Sequence, residues 1–185
     1  MLMPILKLFR RLNVSPNMIT IASIILSFLL LYFFWNAQEN PIYFLFVSIG
    51  LLIRMMLNAL DGMMARIYNM QSKFGEILNE VGDIVSDTAI YFSLILFVKV
   101  EIAIIFILLA IVNEFCGIMA KSLTGERRYD GPMGKSDRAF LVGLLCIGFY
   151  FSDYIFEIVN YIIIFASILI VLSSYLRLAN SLRNE

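Results

Sequence analysis

Histidine is absent from this chain of 185 residues, and cysteine occurs only twice. Without histidine there can be no Ser-His-Asp triad, no histidine-ligated zinc and no imidazole general base. Acid–base work must then fall to carboxylates, lysine or water. Cys116 and Cys146 both lie in apolar runs, where packing as small hydrophobes explains them better than a disulfide or a metal. Charge is also scarce, at 15% of residues with a formal net charge of zero. No Walker A or GxGxxG motif is present, and GPMGK at 131–135 lacks phosphate-loop spacing.

What the chain has in excess is apolar surface. Its residues are 61% hydrophobic and its mean hydropathy is +0.89, too much for one soluble core to hide. An all-α, polytopic membrane protein follows. A window of roughly 20 apolar residues per span gives six transmembrane helices, near 18–36, 42–66, 75–99, 102–122, 137–152 and 154–178.

Residues 1–14 mix Leu, Ile and Phe with cations and read as an amphipathic interfacial helix. Ser15-Pro16 then supplies the N-cap and first position of the first span. No cleavable signal peptide is expected, and 1–185 reads as a single membrane domain. With the N-terminus inside, Lys and Arg from Lys7 to Arg183 fall on the cytoplasmic side, except Lys99 outside and Arg54 within a span. The positive-inside rule thus places both termini in the cytoplasm, compatible with a bacterial inner membrane.

The polar residues are concentrated at the facing ends of spans two and three. On the second, Asn58, Asp61 and Ala65 share a face; on the third, Glu76, Asn79, Glu80, Asp83 and Asp87 occupy a stripe of about 100°. Small residues at Gly62, Ala65, Gly75 and Gly82 permit close approach of helices or of a ligand. Converging carboxylates without His or Cys suit Mg²⁺ or Mn²⁺, completed by water and substrate phosphates. A solvated helix end or interhelical glue is the simpler alternative.

The spacing of Asn58, Asp61-Gly62, Ala65-Arg66, Gly75, Asn79 and Asp83 resembles the signature D-x2-D-G-x2-A-R-x8-G-x3-D-x3-D of the CDP-alcohol phosphotransferase (CDP-alcohol phosphatidyltransferase) family. All eight positions match in spacing and six in residue type. Pro16-Asn17-Met18-Ile19-Thr20 is similar to the family's entry to the first span, and the six spans extend the likeness over most of the chain.

The resemblance implies transfer of a phosphatidyl or other phosphoalcohol group from a CDP-linked donor, such as CDP-diacylglycerol, to an acceptor alcohol. CMP is released, Mg²⁺ or Mn²⁺ is the cofactor, and the pathway is phospholipid biosynthesis. It further implies membrane lipids as surroundings, a homodimer and no nucleic acid partner. Carried over by residue, Asp83 is the general base and metal is held at Asp61, Asp83, Asn58 and Asn79; beside the resemblance, Glu76 or Glu80 on the same stripe would restore the missing charge. Gly62, Ala65, Arg66 and Gly75 would receive CDP. In the polar loop 125–140, Arg127, Arg128, Lys135 and Arg138 would form a cradle for a phosphorylated acceptor, as in some family members, or serve positive-inside topology and contact with anionic headgroups.

Asn58 and Asn79 depart from the pattern's aspartates, and an amide oxygen ligates a hard cation without contributing charge. That leaves a one-metal enzyme and a catalytically silent CDP-lipid-binding relative as further readings. A cation transporter, the remaining alternative, needs polar residues continuing outward, whereas span three is apolar after Thr88 apart from Tyr91 and Ser93.

Two deeper charges are expected to pair. Arg54 precedes Arg66 by 12 residues and Asp87 follows Gly75 by 12, a depth of about 18 Å on antiparallel helices. An unpaired charge there costs roughly 2.5–3.5 kcal/mol, so an Arg54–Asp87 contact is predicted, with Glu114 as the rival partner.

Overall fold

The computed structural model describes residues 3–125 and 127–182. The first two residues of the expected interfacial helix, Glu126 and Arg183 lie outside the described residues. Among these residues seven α-helices follow in order: α1 Met3–Arg11, α2 Pro16–Trp35, α3 Ile42–Ile67, α4 Lys73–Phe92, α5 Val100–Thr124, α6 Lys135–Phe151 and α7 Tyr154–Leu182. A 3-10 turn, Ser93–Leu96, connects α4 towards α5.

Among the described residues, four helices, α2, α3, α5 and α7, are long and apolar enough to cross a membrane. Their outward faces carry exposed side chains such as Ile25, Leu108, Phe165 and Ile168, as lipid contact requires. The protein is a membrane protein. The other two expected spans differ from these four for visible reasons. α4 carries Lys73, Glu76, Glu80, Asp83 and Asp87, while α6 has 17 residues.

The chain folds as its local chemistry directs. Ser15 caps α2, its Oγ accepting from the Met18 amide at 3.3 Å with Pro16 in the first turn, as the sequence indicates. Ser15→Ala should therefore cost about 1 kcal/mol, read as a lower unfolding midpoint in detergent. The amphipathic α1 buries Leu6 against Ile19, Leu60 and Met64, and Arg10 stacks over the Tyr68 ring at 5.5 Å. α1 thereby docks on the ends of α2 and α3 that lead into the polar region.

α2 packs on α3 and α4, α3 on α6, and α5 on α7. At one end of the bundle, rings fill the core: Phe34 and Phe97 stack at 5.1 Å, Phe97 and Phe149 at 5.3 Å, and Phe149 and Phe156 at 4.5 Å. Phe97 also explains why the third expected span is not one helix to residue 99. The chain tightens into the 3-10 turn after Phe92, and Phe97 joins this ring cluster before α5 starts at Val100. The 20 residues of α4 already reach about 30 Å. At the opposite end, the Asp61 end of α3 and the N-terminal half of α4 carry the polar residues.

Candidate active site

The polar end of the bundle encloses a cavity of about 710 Å³, within the range of small-ligand sites. Its wall includes Asn58, Asp61, Gly62, Ala65 and Arg66 from α3, and Gly75, Asn79 and Asp83 from α4. All eight positions of the motif thus meet on one surface. Helix geometry explains the convergence, since residues three or four apart share a face and α3 and α4 run antiparallel across a short turn.

The acidic groups are held by neighbours from three helices, α2, α3 and α6. Thr20 on α2 donates to Asp61 Oδ2 at 2.8 Å. Ser23, one turn later, donates to Asn58 Oδ1 at 2.6 Å, and Asn58 Nδ2 donates to Asp83 Oδ1 at 3.2 Å. Lys135 at the start of α6 forms an ion pair with Asp83 Oδ2. Thr20 enters the sequence pattern only as the last residue of the entry to the first span and Ser23 not at all, although Thr20, Ser23 and Ser27 recur at helical spacing in an otherwise apolar span.

Two glycines shape the wall. A Cβ on Gly62 would meet only Arg66 Nη2, at 3.7 Å, so this face of α3 opens into the cavity. A Cβ on Gly75 would come within 2.7 Å of Asn17 Oδ1, which accounts for glycine beside the Pro16-Asn17 entry of α2.

The other expected residues separate into two groups. Arg127 and Lys135 line the cavity; Glu80, Arg128 and Arg138 do not. Glu80 pairs with Arg127. Arg128 donates to the Asn180 carbonyl at 3.4 Å. Arg138 is 0% exposed and donates to Glu114 Oε1 at 2.6 Å, Asn113 Oδ1 at 3.0 Å and the Met133 carbonyl at 3.1 Å. Arg177, which the sequence reading left without a role, also lines the cavity and donates to the Asn113 carbonyl at 2.7 Å.

The predicted membrane ion pair is present, with Arg54 Nη1 2.6 Å from Asp87 Oδ1. Glu114, the rival, takes Arg138 and Arg127 instead, each at 2.6 Å. The Arg127–Glu114 pair ties the loop after α5 to the bundle. So does Asp130, whose carbonyl accepts from Ser173 at 2.9 Å on α7. Gly131, at φ +89°, brings that loop so close to Ser173 that a Cβ would lie 2.6 Å from its Cα.

The donor set fits a hard divalent cation. It consists of carboxylate and amide oxygens without a thiol or imidazole on the wall. Among the described residues, no three Asp, Glu or Cys side chains gather closely enough to cage a metal alone. Water and a phosphate-bearing ligand must therefore complete the shell.

Comparison with known proteins bears on this arrangement. The CDP-alcohol phosphatidyltransferase family model matches residues 13–177. Inner membrane protein YnbA of Escherichia coli (strain K12) is 45% identical over 134 residues, which are 71% of this chain and 66% of that protein's length. The chain thus spans just under two thirds of that relative. Among solved structures, Mycobacterium tuberculosis phosphatidylinositol phosphate synthase (PgsA1) with CDP-DAG bound superposes with a TM-score of 0.74 at 18% identity, covering 96% of this chain and 92% of that one. The same synthase with manganese and citrate gives 0.75 at 18% identity, covering 96% and 87%. At that identity, the likeness concerns the fold.

Proposed function

Because the chain belongs to the CDP-alcohol phosphatidyltransferase family, we propose that it transfers the phosphatidyl group of CDP-diacylglycerol to an acceptor alcohol and releases CMP. The single observation that carries this reading is the convergence of all eight motif positions on one cavity wall. A solved protein of the same fold binds CDP-DAG, and another structure of that protein holds manganese, which supports the choice of donor and cofactor.

In the reaction, the acceptor oxygen attacks the lipid-side phosphorus of the donor. The phosphoanhydride P–O bond breaks, its electron pair leaves with CMP, and the hydroxyl proton passes to Asp83. Asn58 and Lys135 hold that carboxylate in position for the transfer. Gly62 and Ala65 leave room for the cytidine, Gly75 lets α4 lie close against Asn17, and Arg66 on the same wall is the partner for the phosphates. Mg²⁺ or Mn²⁺ held at Asp61, with the amide oxygens of Asn58 and Asn79 on the same wall, would supply charge neutralisation for the departing CMP.

Arg127 and Arg177 on the wall are the place for an anionic group of the acceptor. Arg127→Ala should raise the acceptor KM roughly 10-fold, the scale of one charge-assisted hydrogen bond, with the donor KM unchanged. An unchanged acceptor KM would remove Arg127 from acceptor binding.

We read α2 to α7 as six spans of an inner membrane protein, with both termini and the cavity on the cytoplasmic side. A lipid donor then keeps its acyl chains in the bilayer and its CDP in water. Cysteine labelling from each side of sealed vesicles tests this, since a reactive residue placed in 127–134 should label only from the cytoplasmic face.

Asn58 favours one other reading, a silent binder of CDP-lipids, because a neutral amide stands where the motif has a carboxylate. The deciding experiment is CMP release in CDP-diacylglycerol micelles. The transferase needs both an acceptor and a divalent cation, and chelation with EDTA should abolish release until Mn²⁺ is restored. The silent binder releases no CMP under any condition.

A further inference from the structure

Of the motif's four acidic positions, only Asp61 and Asp83 carry charge here, and the structure shows how the remaining groups are used. The amide of Asn58 is engaged on both sides, its oxygen accepting from Ser23 and its nitrogen donating to Asp83. Asp83 is enclosed by cations. Its Oδ2 pairs with Lys135, while Oδ1 lies 3.9 Å from Arg54 Nη2. Arg54 is 2% exposed, lines the cavity, and has no hydrogen-bond partner at Nε or Nη2. A second divalent ion at Asp83 would have to approach an ammonium and a guanidinium already in place, against like-charge repulsion.

Lys135 is not a surface lysine that happens to reach inward. It is the first residue of α6, whose start is fixed by the Gly134 amide donating to Asp137 Oδ2 at 3.0 Å. One turn later, Arg138 anchors the helix to Asn113, Glu114 and Met133. An ammonium has three N–H donors, so Lys135 can keep Asp83 and still offer hydrogens to phosphate oxygens in the cavity it lines.

We infer that Lys135 is a built-in cation of this site: its ammonium holds the place of a second divalent ion, and the chain binds a single Mg²⁺ or Mn²⁺ at Asp61. A diphosphate is then clasped between that ion and Lys135. Loss of two carboxylates offsets loss of one divalent ion, and the single charge of Lys135 is matched by the Asp83 carboxylate it pairs with, which gives the paired asparagines a physical reason. The inference deepens the reading of the cavity as a CDP-lipid site and rests on it.

The test uses the full chain in nanodiscs, with CDP-diacylglycerol as the probe and Mn²⁺ binding followed by electron paramagnetic resonance. About one Mn²⁺ per chain, with the spectrum of an isolated ion, is expected from the charge balance. Two per chain with a spin-coupled signal, or none, overturns the inference. Lys135→Met should keep its Mn²⁺, a sign that the fold is intact, yet lose donor affinity by about 10–100-fold. Lys135→Arg, which keeps the cation, should recover most of that loss. Undiminished donor affinity in Lys135→Met also overturns it. Neither readout needs turnover, so a protein that binds one Mn²⁺ and the donor but releases no CMP counts against the transferase and leaves this inference standing.

Discussion

Replacing Asp83 with asparagine should lower the rate of CMP release by roughly 10²–10⁴-fold, the usual contribution of a positioned general base. The substitution preserves size and shape, so packing around it changes little. What it removes is the carboxylate to which Asn58 donates at 3.2 Å and with which Lys135 pairs. An unfolding midpoint close to wild type, measured alongside the rate, assigns the loss to chemistry. Near-normal turnover would take Asp83 out of the reaction and leave Asp61 as the remaining acidic motif residue on the wall.

The largest structural effect is expected at Glu114, a residue with no part in the motif. Its carboxylate takes Arg138 on one oxygen and Arg127 on the other, each at 2.6 Å, and Arg177 lies 3.9 Å away. The Glu114 side chain is 5% exposed and that of Arg138 0%. Truncation leaves buried cations uncompensated, which typically costs about 3–5 kcal/mol. Glu114→Ala should therefore lower the unfolding midpoint sharply in detergent, with Glu114→Gln intermediate because its amide oxygen still accepts. A midpoint unmoved by Glu114→Ala would mean that these arginines are solvated or re-paired. The acceptor KM should also rise in Glu114→Ala, since Arg127, which Glu114 holds, sits on the cavity wall.

The features legible in the sequence are those carried by local spacing. Ser15-Pro16 marks the start of α2 because capping is a contact of three residues. The motif predicts the cavity wall because helical periodicity fixes which residues share a face, and a short turn fixes how α3 meets α4. The Arg54–Asp87 pair follows from counting residues inward along two antiparallel helices, which works only because the membrane makes an unpaired charge costly.

Features set by contacts distant in sequence were not legible. Nothing in the spacing gives Glu114 to Arg138 across 24 residues, or brings Arg177 of α7 onto the cavity wall. The pattern of six apolar runs likewise hides the early end of α4, because Phe97 is as apolar as any residue of a span and only its ring partners reveal the break. Lys135 is the instructive case. Among the loop cations it is indistinguishable by sequence from Arg128, yet one pairs with Asp83 and the other with a backbone carbonyl of α7.

One measurement bears on all of this. Purified protein is given CDP-diacylglycerol labelled at its lipid-side phosphate, Mn²⁺ and a panel of acceptor alcohols with and without a phosphate group, and the lipid products are separated. A phosphatidyltransferase moves the label into a new phospholipid with one acceptor and not the others, matched mole for mole by CMP. Label that stays in CDP-diacylglycerol across the whole panel, while the donor remains bound, would contradict turnover and identify the chain as a CDP-lipid binder.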